Sequence, residues 1–164
     1  MFNSEYGWIY VLVTKGHDIV RIGSSMSIFM IIHDYNLGIP DCDDLTHELY
    51  VFNILTDELT CHEINKLIQE SSKKYSSPYE KYIGSGGNEF YNFSNIKHIK
   101  SFFDLLKIKY EFNKITIADI RNENYTITEK DKSLFFEKDD KVNNTQLNKI
   151  QPYLNIVRDN VNVK

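Results

Sequence analysis

Residues 7–23 have the sequence GWIYVLVTKGHDIVRIG, in which two runs of β-branched and aromatic residues flank the polar segment Lys15-Gly16-His17-Asp18. Runs of this composition are typical of strands, and a short polar link that contains glycine favours a hairpin between them. We therefore predict two antiparallel strands at the start of the chain. The apolar and aromatic run from His47 to Leu55 predicts a third strand.

Three later segments carry apolar residues three and four positions apart, the spacing of one buried helical face. The first follows the second strand and has Ile31 among its apolar residues, so Ile31 is predicted to lie in the core. The second begins with Thr60-x-x-Glu63, the pattern of a capping box. The third is predicted to run from Ser94 to Tyr110.

These elements predict an α+β protein with two strands joined by a turn, a third strand and three helices. Beyond residue 113 the pattern changes to short strand-like pieces at 115–117 and 125–127, followed by an amphipathic segment at 147–157. We therefore predict one domain over residues 1–114 and a C-terminal extension over residues 115–164, whose role the sequence leaves open.

The composition excludes several classes of protein. The 164 residues are 41% hydrophobic with 7 Gly and 3 Pro, which excludes disordered and low-complexity chains and is sufficient for one core. No apolar run approaches the roughly 18 residues of a membrane span, and the N-terminal residues do not resemble a secretion signal. Two cysteines, Cys42 and Cys61, fit a reducing compartment. We therefore expect a soluble intracellular protein with no membrane partner.

Charge is distributed unevenly along the chain. Residues 1–60 carry 2 basic and 9 acidic side chains, residues 61–110 carry 8 and 5, and residues 111–164 carry 9 of each. A polyanion would approach the middle segment, because phosphate binding depends on lysine and arginine. An ordinary solvated lysine face is the alternative interpretation. The candidate nucleic-acid contacts are Lys73, Lys74, Lys81, Lys97 and Lys100.

Three short motifs follow one another along the chain. Gly7-Trp8-Ile9-Tyr10 is followed after ten residues by Arg21-Ile22-Gly23, and Gly86-Gly87-Asn88-Glu89-Phe90-Tyr91 comes later. This order resembles the GIY-YIG nuclease superfamily over roughly residues 6–112. Because its second motif begins with a cation, the chain is similar to the branch common in phages and large DNA viruses. In that branch the second motif usually begins with lysine. For a viral protein, the expected location is the host cytoplasm or nucleus.

The resemblance implies an α+β fold with a small three-stranded antiparallel sheet flanked by helices. It also implies an endonuclease that hydrolyses DNA phosphodiester bonds with one divalent metal ion, Mg²⁺ or Mn²⁺. Tyr10 would be the tyrosine that activates or positions water, and Glu63 would hold the metal. Arg21 stands where the family has a second tyrosine or, in the related branch, a lysine. Carboxylate oxygens suit Mg²⁺, and a phosphodiester needs a metal and a cation to offset its developing negative charge.

One position departs from the family pattern. The helix arginine of the family falls eight residues after the motif glycine, where this chain has Ile31. Losing one preorganised charge-stabilising donor typically lowers a rate by about 10²- to 10³-fold. An active enzyme would need Arg21 or His33 as a substitute. The alternative is a nuclease fold without catalysis, a pseudoenzyme that binds nucleic acid, a protein partner or a second copy of itself.

Each candidate residue also has a purely structural interpretation. Tyr10 fits a core tyrosine, Glu63 the carboxylate of the capping box, and Arg21 a surface ion pair. Four further residues are of zinc-ligand type but lack the paired spacing of a zinc knuckle. They are Cys42, His47, Cys61 and His62.

Overall fold

The computed structural model describes residues 4–16, 20–31, 43–71, 90–91, 95–122 and 144–161. Its strands are β1 (Trp8–Thr14), β2 (Val20–Ser25), β3 (His47–Ile54), β4 (Phe90–Tyr91) and β5 (Tyr110–Ile115). Its helices are α1 (Cys61–Ser71), α2 (Asn95–Leu105), α3 (Ile117–Asn122) and α4 (Asn144–Val161). Residues 28–31 are also helical. None of these described helices has both the length and the apolar composition that a membrane crossing requires.

Strand β1 lies at the centre of an antiparallel sheet with the strand order β4-β2-β1-β3-β5. It pairs with β2 over Trp8–Val13 and with β3 over Trp8–Thr14. The apolar, β-branched and aromatic residues of β1 suit a strand that is covered on both faces. The predicted α+β class and the antiparallel pairing of the first three strands are confirmed.

The predicted number of three strands is wrong. A fourth long strand, β5, pairs with β3 and brings Phe112 opposite Phe52. The two-residue strand β4 adds a short edge next to β2. The pairing of β3 with β5 joins residues about sixty positions apart, and a contact at that separation leaves no mark in local sequence periodicity.

Helix α2 ends at Leu105 rather than at Tyr110, which instead begins β5. Lys107 adopts the left-handed conformation with φ 58°. The N–H of Ile108 donates to the carbonyl of Phe103 at 2.9 Å, and the N–H of Lys107 donates to the carbonyl of Asp104 at 3.2 Å. This pattern is a Schellman cap, in which glycine usually occupies the left-handed position. Because a lysine occupies it here, the helix end carries no sequence signal.

Alternation along β1 separates two cores, one on each face of the sheet. Ile9 and Val11 belong to the core covered by α1, α2 and α4. Tyr10 and Leu12 belong to the core covered by residues 28–31 and α3. The apolar faces predicted for the second and third helical segments are confirmed by burial. The buried members are Ile64, Leu67, Ile68, Ile99, Phe103 and Leu106.

The predicted domain boundary at residue 114 falls inside β5. Beyond it, α3 contributes Ile117 and Ile120 to one core, and α4 contributes Ile150 and Leu154 to the other. Of the two predicted strand-like pieces, residues 115–117 span the end of β5 and the start of α3. The other, residues 125–127, lies outside the described residues. The described parts of the C-terminal fifty residues therefore pack on both faces of the sheet.

Asp44 connects the acidic segment before β3 to the start of α3. Its Oδ1 accepts the N–H of Ile117 at 2.7 Å, and its Oδ2 accepts the N–H of Ala118 at 2.9 Å. The first N–H groups of a helix have no acceptor within the helix, and a negative charge is favoured at that end. One carboxylate thus fixes α3 to a loop 73 residues earlier in the chain.

We expect Asp44→Ala to lower the free energy of unfolding by about 1–2 kcal/mol, because two helix N–H groups lose their acceptor. Denaturant unfolding followed by circular dichroism measures the change. The matched control is Asp57→Ala, which removes an exposed carboxylate and should cost less than about 0.5 kcal/mol. Equal losses in the two variants would contradict the capping role of Asp44.

Candidate functional site

Tyr10 and Arg21 are the two predicted catalytic residues that the structure brings together. They lie on adjacent strands, and Arg21 Cζ is 5.8 Å from the centre of the Tyr10 ring, within the range of a cation–π contact. Their side chains are 1% and 0% exposed, respectively. Arg21 is therefore buried and does not lie at the surface, where one interpretation of the sequence placed it. A phosphodiester in solution does not reach the Tyr10 hydroxyl or the Arg21 guanidinium in this arrangement.

The glycine of the second motif makes room for Tyr10. Gly23 is the β2 residue opposite Tyr10, and a Cβ atom at Gly23 would lie only 2.5 Å from Tyr10 Cζ. Real Cβ atoms do not approach neighbours so closely, so a larger residue would displace the ring. Packing alone therefore accounts for the pairing of Tyr10 with a glycine in this motif.

The prediction that Ile31 lies in the core is confirmed. Its side chain is 1% exposed and packs in the same cluster as Tyr10, Ile28 and Leu49. At the position of the family's helix arginine, this chain supplies an apolar contact and no charge. His33, the second candidate substitute for that arginine, lies outside the described residues.

Glu63 is not part of the same centre as Tyr10 and Arg21. It lies on α1, whose apolar residues belong to the core on the opposite face of the sheet from Tyr10. Its Oε1 accepts the N–H of Thr60 at 2.9 Å, and Thr60 Oγ1 accepts the N–H of Glu63 at 3.1 Å. The predicted capping box is confirmed, and it uses the carboxylate that the nuclease interpretation assigns to the metal.

A second contact joins Glu63 to helix α4. Lys149 Nζ lies 2.8 Å from Glu63 Oε1, and the Glu63 side chain is 8% exposed. Burial raises the pKa of Glu63, but the bonds from Lys149 and Thr60 outweigh burial and hold that pKa below its ordinary value. A divalent cation at this carboxylate would be repelled by the adjacent ammonium group. The residues around Glu63 therefore do not fit the Mg²⁺ or Mn²⁺ that the resemblance implies.

Of the residues of zinc-ligand type, Cys61 and His62 lie next to each other on α1, with Cys61 Sγ 3.9 Å from His62 Nδ1, and His47 lies on β3. His47 Nδ1 is 2.7 Å from Thr46 Oγ1, and burial lowers the pKa of His47. His62 Nδ1 is 2.7 Å from Ser24 Oγ, and Cys42 lies outside the described residues. Within the described part of the chain, no three His, Cys, Asp or Glu side chains are grouped so that they could hold a metal ion.

Only one of the five candidate nucleic-acid lysines has a described side chain. Lys73, Lys74 and Lys81 lie outside the described residues, and Lys97 lies on α2. Lys100, also on α2, places its Nζ 3.9 Å from the centre of the Phe112 ring. This contact brings a cation from the middle segment onto the sheet beside β5.

Two half-buried aromatic rings lie beside Lys100 on the sheet. Tyr50 on β3 and Phe112 on β5 are nearly parallel, with ring centres 5.8 Å apart and an interplanar angle of 5°. Lys114 Nζ is 5.8 Å from the centre of the Tyr50 ring, and its side chain is 55% exposed. We call Tyr50, Phe112, Lys100 and Lys114 the aromatic–lysine surface. Of these four residues the sequence singles out only Lys100, because they come from three separate elements.

One carboxylate adjoins the aromatic–lysine surface. Glu48 accepts the Tyr50 hydroxyl hydrogen bond at 3.0 Å and lies 3.4 Å from Lys114 Nζ. The hydrogen bond from Tyr50 lowers the pKa of Glu48. Burial of Tyr50 and its hydrogen bond to Glu48 raise the pKa of Tyr50. Tyr50 thus stays a neutral donor at physiological pH. The surface carries two ammonium groups and one carboxylate, a net positive charge on an acidic chain.

Comparison with known proteins yields no match: no family model, no curated protein and no solved structure corresponds to this chain. The GIY-YIG resemblance therefore stays a prediction carried by the sequence motifs.

We expect Glu63→Gln to lower the free energy of unfolding by about 1 kcal/mol at pH 7, because the charge-assisted bond to Lys149 is lost. The lowered pKa sets the pH dependence. The contribution of the ionised Glu63 to the free energy of unfolding is complete above the ordinary glutamate pKa of about 4.3. It is lost as the pH falls through the lowered pKa of the folded state. Denaturant unfolding at pH 7 and at successively lower pH measures the difference between wild type and variant.

The matched control for this prediction is Glu111→Gln, which neutralises an exposed carboxylate on β5. Its effect should be small at every pH. Lys149→Met should reproduce the loss seen in Glu63→Gln. A rise in thermal stability on adding Mg²⁺ to the wild type, absent from Glu63→Gln, would contradict the structural role of this carboxylate.

Proposed function

We propose that this chain is a GIY-YIG-like nuclease fold that binds single-stranded nucleic acid without cleaving it. The observation that carries the proposal is the contrast between two places in the fold. The predicted site residues that the structure describes, Tyr10, Arg21 and Glu63, are buried or engaged in structural bonds, whereas the aromatic–lysine surface is partly exposed and positively charged.

Three features of the described residues support the absence of cleavage. Tyr10 and Arg21 are enclosed in the core, and Ile31 supplies no charge. Glu63 lies against the opposite face of the sheet and bonds Thr60 and Lys149. A hydrolytic site needs its nucleophile, charge-stabilising donor and metal ligand around one reacting phosphate. These residues do not meet that requirement.

The aromatic–lysine surface supports the choice of ligand. Aromatic side chains on a sheet stack with unpaired bases, which is worth about 1–3 kcal/mol per base, and neighbouring lysines bind the phosphates. Tyr50 and Phe112 supply the rings, and Lys100 and Lys114 supply the cations. Duplex DNA hides its base faces within the stack, so single strands are the better ligand for such a surface.

We expect no cleavage of supercoiled plasmid, single-stranded DNA or RNA by the purified protein with Mg²⁺ or Mn²⁺. The physical reason is the burial of Tyr10 and Arg21 and the engagement of Glu63. Gel electrophoresis after prolonged incubation measures the outcome, with circular dichroism to show that the protein is folded. Cleavage that disappears in both Tyr10→Phe and Glu63→Gln would overturn this half of the proposal.

We expect labelled single-stranded DNA and RNA to bind more tightly than duplex DNA in fluorescence anisotropy titrations. Tyr50→Leu and Phe112→Leu keep an apolar side chain but remove the ring, and each should weaken binding about 5- to 150-fold if one base stacks there. Lys100→Gln and Lys114→Gln should weaken binding to all sequences. Each should also reduce the slope of log K against the logarithm of the salt concentration by about 0.7, because one phosphate contact is lost.

Two control variants separate this surface from general effects. Tyr110→Leu removes another half-buried ring of β5, which packs against Phe52 and Phe103. Lys66→Gln removes one positive charge from α1. Both should bind like the wild type. Equal losses in these controls, or no binding of any nucleic acid by the wild type, would overturn the ligand assignment and favour a protein partner.

A further inference from the structure

Three side chains with soft or borderline donor atoms lie at the start of helix α1, next to the capping box of Thr60 and Glu63. Cys61 is the first residue of α1 and His62 the second, and Met26 follows β2. Cys61 Sγ lies 3.7 Å from Met26 Sδ and 3.9 Å from His62 Nδ1. The thiol, the thioether and the imidazole come from two segments 35 residues apart.

These separations match those between ligands of one metal ion. A metal at about 2.3 Å from sulfur and about 2.0 Å from nitrogen separates two sulfur ligands by roughly 3.8–4.0 Å, and a sulfur from a nitrogen by roughly 3.5–3.7 Å, at tetrahedral to trigonal angles. The measured sulfur–sulfur distance is 3.7 Å and the measured sulfur–nitrogen distance is 3.9 Å, each within about 0.2 Å of its range. Small shifts of Cys61 relative to Met26 and to His62 would therefore bring both pairs to the spacing of ligands of one ion.

Gly7 forms a wall beside the two sulfur atoms. A Cβ at Gly7 would lie 2.5 Å from Cys61 Sγ and 2.8 Å from Met26 Sδ, and its φ of +93° also favours glycine. The backbone thus approaches both sulfurs closely. Cys61 is buried, while Met26 and His62 are half-buried, so an ion would enter from the side of Met26 and His62.

We propose that Met26, Cys61 and His62 bind one Cu(I) ion. Thiolate and thioether ligands favour soft metal centres, among them Cu(I), zinc and iron–sulfur clusters. Charge supports the same choice, because one thiolate neutralises one monovalent ion. A Zn²⁺ ion in the same site would leave one uncompensated positive charge among buried groups, which is costly. The site is independent of the proposed nucleic-acid binding.

Binding requires an exchange of protons but no electron transfer. The Cys61 thiol releases its proton to solvent as the sulfur–copper bond forms, and the helix N-terminus stabilises the resulting thiolate. The Nδ1 lone pair of His62 must point at the ion. Ser24 Oγ, 2.7 Å from that nitrogen, then turns away and gives up this hydrogen bond. Copper enters and remains in its monovalent state.

The test is anaerobic titration of the reduced full-length protein into the coloured Cu(I)–bicinchoninate complex. The wild type should withdraw one equivalent of Cu(I). Mutation of a residue that only hydrogen-bonds to a metal ligand typically lowers metal affinity by about tenfold or more. Cys61→Ser and Met26→Leu each remove a ligand itself and should weaken Cu(I) binding by at least about tenfold. X-ray absorption at the copper edge should show two sulfur ligands and one nitrogen ligand.

The controls remove the same side-chain types elsewhere. Met30→Leu alters a buried methionine within the helical residues 28–31, and Cys42→Ser removes the other thiol; both should bind Cu(I) like the wild type. If circular dichroism shows that Cys61→Ser does not fold, the Cu(I) affinity of Met26→Leu tests the proposal, because this substitution conserves side-chain volume and keeps the thiol. Unchanged affinity in Met26→Leu, no Cu(I) withdrawn by the wild type, or tighter binding of Zn²⁺ would overturn the proposal.

Discussion

Strand β1 is hydrogen-bonded along both edges and buried on both faces, and this double burial is the constraint on which the described fold depends. A strand with apolar residues at successive positions needs helices on both sides of the sheet. The chain covers the face of Ile9 and Val11 with α1, α2 and α4, and the face of Tyr10 and Leu12 with residues 28–31 and α3. The C-terminal helices are required because the sheet has two faces to cover.

The elements defined by local patterns could be predicted from the sequence. Composition identified β1 to β3, and Thr60-x-x-Glu63 located the start of α1 to the residue. β5 could not be predicted, because its evidence is the distant pairing with β3, and the helix before it ends on Lys107 rather than on a glycine. The hydrogen bonds from the start of α3 to Asp44 could not be predicted either, because they join residues 73 positions apart.

The candidate site shows the same division between local and distant information. Motif spacing placed Tyr10 and Arg21 on neighbouring strands, and strand alternation makes them share a face. Whether that face is open depends on residues 28–31 and α3, which cover it from elsewhere in the chain. The face on which Glu63 lies depends on how α1 crosses the sheet, and spacing along the chain carries no information about that crossing.

A hydrolytic site and a stable fold make opposite demands on the same side chains. A metal-binding carboxylate must keep its oxygens for the ion, but Glu63 gives Oε1 to Thr60 and Lys149 and so fastens α1 to α4. An arginine that neutralises a phosphate must be reachable, but Arg21 is enclosed beside the Tyr10 ring. Active sites commonly sacrifice stability for reactivity. Here the described groups that would carry reactivity, Tyr10, Arg21 and Glu63, contribute instead to packing and to the bonds between helices.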